Sequence, residues 1–187
     1  IFSATTYIEF INHINLLVSN GAEKIIIDLR GNTGGYLDQA VAIADELLDV
    51  GLDIVSVKGN FRDEIKYKST YQGQLSKYPL IILIDEFSAS ASEILAGAIQ
   101  DNNRGEIVGR NSFGKGLVGE EFSLGDGSFL RLTVAKYFTP SGRCIQRDIS
   151  NYNYTDIMGL DYHQIDSTQI FQTLDGDTVF EGGGIYP

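Results

Sequence analysis

Ser90 stands in the run Ser88-Ala89-Ser90-Ala91-Ser92-Glu93, and Lys115 stands 25 positions later in Phe113-Gly114-Lys115-Gly116. A hydroxyl at the start of a helix and an amine in a glycine-flanked bend are a nucleophile and a base. The first can attack a carbonyl carbon while the second takes its proton. A histidine-based triad has little material to draw on, because His13 and His163 are the only histidines. The first free amides of the helix, starting with Ala91, would face the negative charge that develops on the carbonyl oxygen, and the helix dipole adds modestly. Each half also has an ordinary reading. Ser90-Ala91-Ser92-Glu93 fits a capping box, and a lysine is usually a solvated surface charge. To serve as a base Lys115 must be neutral, which calls for desolvation, and its flanking glycines permit a tight backbone approach.

Other motifs share these residues. Gly109-Arg110-Asn111-Ser112-Phe113-Gly114-Lys115 fits the first seven positions of a phosphate-binding loop. Gly116 then lacks the hydroxyl that would hold magnesium, and the next residues read as strand where such a loop must open a helix. Ser112-Phe113-Gly114-Lys115 also matches a Ser-x-x-Lys motif, which needs a helical turn that this glycine-rich stretch forms poorly. Gly31-Asn32-Thr33-Gly34-Gly35 does not fit a dinucleotide loop, but such a turn can present bare amides to a substrate carbonyl.

The elements that must position these residues alternate. Thr6-Tyr7-Ile8-Glu9 reads as a capping box, and Tyr7, Phe10, Ile11, Ile14, Leu17 and Val18 follow at helical spacing to a stop at Gly21, with His13 at the edge of that stripe. Lys24 to Leu29, Asp53 to Lys58 and Leu80 to Asp85 read as strands. A helix follows the glycine turn, with Leu37, Ala40, Val41, Ala44, Leu47 and Leu48 on one face. Another follows Ser90, with Ala91, Ile94, Leu95, Ala98 and Ile99 inward. The polar segment from Gly59 to Tyr78 reads as hairpin and loop. Glu106 to Gly109, Leu117 to Leu124 and Ser128 to Ala135 are further strands, the last two joined at Gly125-Asp126-Gly127. The tail from Ile149 to Asp177 is polar and poorly periodic, with a turn at Leu174-Asp175-Gly176-Asp177. This alternation favours an α/β fold with a largely parallel central sheet.

Composition narrows the partners. The 187 residues suit one domain, with 43% apolar and 21% charged content, and no apolar run is long enough to span a bilayer. A net charge of −11 argues against nucleic acid. Cys144 is the only cysteine, so an internal disulfide and a thiolate metal cluster are excluded, and a zinc site is not expected. The chain opens at Ile1 without a signal peptide and stops at Gly182-Gly183-Gly184-Ile185-Tyr186-Pro187, so a trimmed piece of a longer protein is expected.

Together these segments resemble the tail-specific, or carboxyl-terminal processing, serine peptidases. Asp28-Leu29-Arg30-Gly31-Asn32-Thr33-Gly34-Gly35 is similar to that family's glycine-turn motif, and Ser88 to Ile94 to its nucleophile motif. Phe113-Gly114-Lys115-Gly116 resembles its lysine motif, and Tyr137-Phe138-Thr139-Pro140-Ser141-Gly142-Arg143 a further segment. The order and spacing agree from about residue 3 to the end. The resemblance implies Ser90 as nucleophile and Lys115 as general base, with an acyl-enzyme and no metal or organic cofactor. It implies an oxyanion hole from the Ala91 amide and one of Gly34 or Gly35, with Gly35 favoured. The implied fold is α/β, of stacked β-β-α units of the crotonase/ClpP-like type with a central mostly parallel sheet and an added hairpin, residues 1–187 forming one catalytic core. Relatives usually carry a PDZ domain ahead of this core, which the chain lacks, and work in the bacterial periplasm or cell envelope on polypeptides with an apolar C-terminal tail. Nucleotide is not an expected partner, and homo-oligomers are compatible with the family.

Two positions carry specific expectations. In relatives an aspartate matching Asp101 has been grouped with the catalytic residues. Eleven helical residues from Ser90 amount to roughly 16 Å of rise, which predicts a structural partner for Asp101 instead. Four residues after the lysine the family usually has a glutamine that orients it; here stands Gly119. The expectation is reduced turnover, since the third member of such sites positions the base and does not react. A carboxylate from Glu120 or Glu121 would be a poor replacement, because it would favour the charged lysine. The competing reading is a module that binds extended peptides by strand addition, with weak or no catalysis.

Overall fold

Three short aliphatic runs build a parallel sheet. The computed structural model describes residues 1–71, 73–148 and 169–187. Helix α1 (Thr6–Ser19) leads to β1 (Ile25–Asp28), α2 (Leu37–Leu47), then β2 (Asp53–Gly59) and β3 (Arg62–Lys68). Next come β4 (Leu80–Ile84), α3 (Ala91–Asp101), β5 (Glu106–Gly109), β6 (Leu117–Ser123), β7 (Phe129–Phe138), β8 (Ile170–Gln172) and β9 (Thr178–Phe180). Strands β1, β4 and β5 pair in parallel in the order β1-β4-β5, as helical crossovers between them require. Strands joined by tight turns pair antiparallel, giving a second sheet in the order β3-β2-β7-β6 and a small β8-β9 hairpin. A parallel sheet is thus present, but it carries three strands. The expected added hairpin, β6-β7, is half of a four-stranded sheet.

Alternation divides the parallel sheet into two unlike faces. Ile25, Leu80, Ile82, Ile84 and Ile107 are buried on one, whereas Ile26 and Val108 are exposed on the other. Helix α3 packs on both β5 and β2 and against α2, and every residue from Ala91 to Ile99 is buried. Its smallest position, Gly97, faces Thr139 and Ile185, where an added Cβ would lie 3.0 and 3.1 Å from their side chains.

The boundaries agree with expectation to within a few residues, and several details differ. Thr5 stands at the N-cap position of the first helix without a side-chain cap bond, its hydroxyl donating to the Glu9 carboxylate at 2.6 Å; Thr6 accepts the Ser3 amide, so the Thr6-to-Glu9 box does not form. Leu17, expected to face inward, is 55% exposed because α1 lies on α2 only along Tyr7, Phe10, Ile11 and Ile14. His13 is exposed, with Nδ1 2.7 Å from the Glu9 carbonyl. Of the polar tail, residues 149–168, including His163, lie outside the described residues. Beyond them the Leu174–Asp177 turn joins β8 to β9.

Candidate active site

The glycine turn leaves β1, the Ser90 loop leaves β4 and the Lys115 loop follows β5, so all three emerge from the carboxyl ends of the parallel strands. Open parallel sheets bind ligands there, because the connecting loops meet at that edge. Buried polar side chains clamp the loops together. Asp85 Oδ1 accepts the Gly31 and Phe87 amides at 2.9 and 3.0 Å. Ser88 Oγ donates to the Leu29 carbonyl at 2.8 Å, and the Asn32 carbonyl takes both the Ala89 amide and Ser92 Oγ. The Phe113 amide reaches the Ser88 carbonyl at 3.0 Å, which ties the lysine loop to the serine loop.

Ser90 caps α3 with φ 56° and ψ −114°. Only one other non-glycine among the described residues, Asn103, has a positive φ. Such a backbone costs of order 1–3 kcal/mol and persists only where its surroundings enforce it. What enforces it here is Glu93, the third residue of the helix. Its Oε2 accepts the Ser90 amide at 2.8 Å and the Lys115 amide at 2.9 Å, so the backbones of these two residues converge on one atom. Its Oε1 accepts Ser112 Oγ at 2.5 Å and the Gly114 amide at 2.6 Å. Glu93 is fully buried, and desolvation pushes its carboxyl above the usual range, while the Ser112 hydroxyl and the Lys115, Gly114 and Ser90 amides pull it back. Hydrogen bonds to a charged acceptor contribute about 1.5–3 kcal/mol each, so these four offset part of the cost of burying the charge.

Gly34 lies directly beside Ser90. At φ +93° it adopts a backbone that side chains disfavour, and an added Cβ would sit 2.4 Å from the Ala89 carbonyl, 2.8 Å from Ser90 Cβ and 2.9 Å from the Ala91 amide. The Gly34 N–H is taken by Asn32 Oδ1 at 3.0 Å. No described group takes the Gly35 or the Ala91 N–H; Ala91 follows Ser90 in the chain, and Gly35 follows the glycine that touches it. Gly35 is fixed instead through its neighbours: the Phe2 amide binds the Gly34 carbonyl and the Tyr36 amide the Phe2 carbonyl.

The lysine loop is held from the other side by residues 146–147. Gly116 donates to Gln146 Oε1 at 2.9 Å, and the Arg147 amide reaches the Gly114 carbonyl at 2.9 Å. At φ +88° and with Arg147 Cβ 2.9 Å from an added Cβ, Gly114 admits no side chain. The Lys115 side chain itself is exposed, and no hydrogen bond joins it to Ser90 Oγ. Gly119 sits in β6 opposite Thr133, where a bulge shifts the register, and an added Cβ would meet only the flexible Arg131 side chain at 3.2 Å. At the exposed start of the glycine turn, Arg30 hydrogen-bonds Asp28 and brings its carboxyl down to about 2.

Asp101 lies at the far end of α3. Its carboxylate accepts buried Arg143 Nη2 at 2.9 Å and the Ser141 amide at 3.0 Å. The Thr139–Arg143 segment therefore wraps the end of the helix away from Ser90. No local pattern shows that Glu93 and Ser112 bridge the two loops. Glu93 reads as an ordinary cap and Ser112 as part of a decoy motif, and the only available signal was that each lies three residues from Ser90 or Lys115.

A profile of Peptidase family S41 matches residues 1–152. The chain belongs to this family. The S41 chain is 44% identical over 140 residues to a carboxyl-terminal-processing protease of Picosynechococcus sp., covering 74% of this chain and 33% of the relative. It is 35% identical over 146 residues to the carboxy-terminal processing protease CtpA of Bacillus subtilis, covering 78% and 31%. Among solved structures, the photosystem II D1 C-terminal processing protease superposes with a TM-score of 0.71 at 36% identity, over 78% of this chain and 37% of that one. The chain spans about a third of the length of the curated relatives it matches.

Proposed function

We propose that this S41 chain carries a serine endopeptidase centre in which Ser90 is the nucleophile and Lys115 the general base. The observation that carries the reading is the shared Glu93 oxygen, which brings residues 25 positions apart onto one atom. Ser90 Oγ attacks the scissile carbonyl carbon while Lys115 Nζ takes the hydroxyl proton. The carbonyl oxygen gathers negative charge against the free Ala91 and Gly35 amides. Collapse breaks the C–N bond, Lys115 returns the proton to the departing amine, and a water molecule then hydrolyses the acyl-enzyme. Bound peptide covering Lys115 would supply the desolvation that a neutral amine needs, and resting sites often lack the nucleophile–base hydrogen bond until substrate arrives.

The names of the relatives support a polypeptide substrate, and we extend the reading to cleavage near an apolar C-terminal tail, in the bacterial cell envelope or periplasm. Residues 1–187 are taken as one catalytic unit whose longer relatives add a peptide-binding PDZ domain. Contact of α3 with both sheets supports the finer assignment to stacked β-β-α units of the crotonase/ClpP-like type.

A fluorophosphonate probe, read by intact mass, tests the centre: one adduct on Ser90 is expected. Gly119→Gln is expected to raise the acylation rate several-fold, because the site has room for the side chain and general-base efficiency depends on orientation. An unchanged rate would mean that Lys115 needs no such partner. Gly34→Ala is expected to slow acylation at least about 100-fold, since its Cβ must displace Ser90 or Ala91 and misplacement by an ångström is that costly. Wild-type labelling of this variant would remove the glycine turn from the site.

A further inference from the structure

The last residues of the chain run through the interior behind the site. Gly183, Gly184 and Ile185 are buried, and Ile185 is wholly enclosed. The Ile185 amide donates to Ser112 Oγ at 2.6 Å, and the Ser112 amide returns a bond to the Ile185 carbonyl at 3.0 Å. Arg147 Nη2 holds the Gly183 carbonyl at 2.7 Å, and the Gly184 amide binds the Ile145 carbonyl. A hydroxyl has one proton, and that of Ser112 goes to Glu93, so its lone pairs are left to receive the Ile185 amide. The result is a line of hydrogen bonds donated from Ile185 N–H through Ser112 O–H to Glu93 Oε1, met from the other side by the Ser90 and Lys115 amides, which donate to Oε2. Among the described residues no lysine or arginine forms an ion pair with Glu93. Three amides and one hydroxyl carry its charge alone, so the loss of any one donor moves the others.

We propose that Glu93 is a positioning residue for the Ser90–Lys115 reaction, held in place through Ser112 by the Gly182–Ile185 strap. This rests on the peptidase reading above. With Gly119 offering no side chain to Lys115, Glu93 fixes the base from its backbone, and the strap makes that fixing conditional on its own docking. Glu93→Gln keeps the shape of the side chain but turns an amide group toward N–H donors, leaving at least one donor unpaired. Ser112→Ala cuts the strap from the carboxylate without adding bulk.

Both variants are made in the full chain and compared with wild type by three measurements: kcat and KM on a long peptide, fluorophosphonate acylation of Ser90, and amide hydrogen exchange at Gly114 and Lys115. Ser112→Ala is expected to lower kcat about tenfold and Glu93→Gln about 100-fold with KM unchanged, as expected for one or two buried donors left unmade. The double variant is expected to be no slower than Glu93→Gln alone, because both act on one line of bonds. Exchange at Gly114 and Lys115 is expected to rise in both. Unchanged exchange in Ser112→Ala overturns the link to the strap, and faster exchange with unchanged kcat overturns the positioning role. If Glu93→Gln does not fold, Ser112→Ala decides alone. A wild-type chain without an adduct at Ser90 overturns the peptidase reading instead, and the exchange data still judge the line of bonds.

Discussion

Ser90→Ala is expected to eliminate the fluorophosphonate adduct and to lower kcat on a long peptide by up to about a million-fold, the scale on which removal of a serine nucleophile acts in other peptidases. Lys115→Ala is expected to lose about 100- to 10,000-fold, the usual contribution of a positioned general base. Lys115→Arg should be as inactive as the alanine variant, although it keeps the charge and length, because a guanidinium does not give up its proton. Neither lysine change touches the core. The lysine side chain is exposed and its loop is held by backbone bonds to Glu93 and Gln146, so stability should stay within about 0.5 kcal/mol. The measurement is the acylation rate across pH beside a thermal melt. Wild-type kinetics in Lys115→Arg would remove the lysine as base and leave Ser90 to be activated by something else.

Asp101→Ala should show the opposite pattern, a large loss of stability with the chemistry intact. The Asp101 and Arg143 side chains are 0% and 1% exposed, and Arg143 Nη2 divides itself between Asp101 and Gln100 Oε1 at 2.9 and 2.6 Å. Deleting the aspartate strands a guanidinium in the interior, which typically costs about 3–5 kcal/mol. At about 2–4 °C per kcal/mol for a domain of this size, the melting point should fall by roughly 6–20 °C. Replacing both partners together, Asp101→Leu with Arg143→Met, should recover part of the loss, since no uncompensated charge remains. Below its melting point Asp101→Ala should still acylate at Ser90 at near the wild-type rate. A variant that melts normally and fails to acylate would return Asp101 to the catalytic residues.

The strands β1, β4 and β5 and the helices α2 and α3 were legible because aliphatic runs and periodic stripes are local patterns. The three motif loops were legible because glycine, serine and lysine fell at recognisable spacings between those elements. Their meeting at one edge of the parallel sheet follows from the alternation of strand and helix. The first-helix cap was misread by one position because Ser3, Thr5 and Thr6 all offer hydroxyls, and which one closes the turn depends on how the chain enters from Phe2.

By itself the sequence determined which residues we propose as the reacting groups, the order of their loops and the missing side chain at Gly119. Only the tertiary structure decided how those groups are held. A glutamate three residues into a helix looks the same whether it caps in solvent or is sealed inside, and here burial makes it the shared acceptor for both loops. Gly34 and Gly35 are equivalent in sequence. The Asn32 side chain consumes the first amide and leaves the second without an acceptor among the described residues. The bond from Ser112 to Glu93 and the reach of Ile185 back to Ser112 are contacts across 19 and 73 positions. Local pattern cannot encode them, because burial and the pairing of donors with acceptors are fixed only once the whole chain has packed.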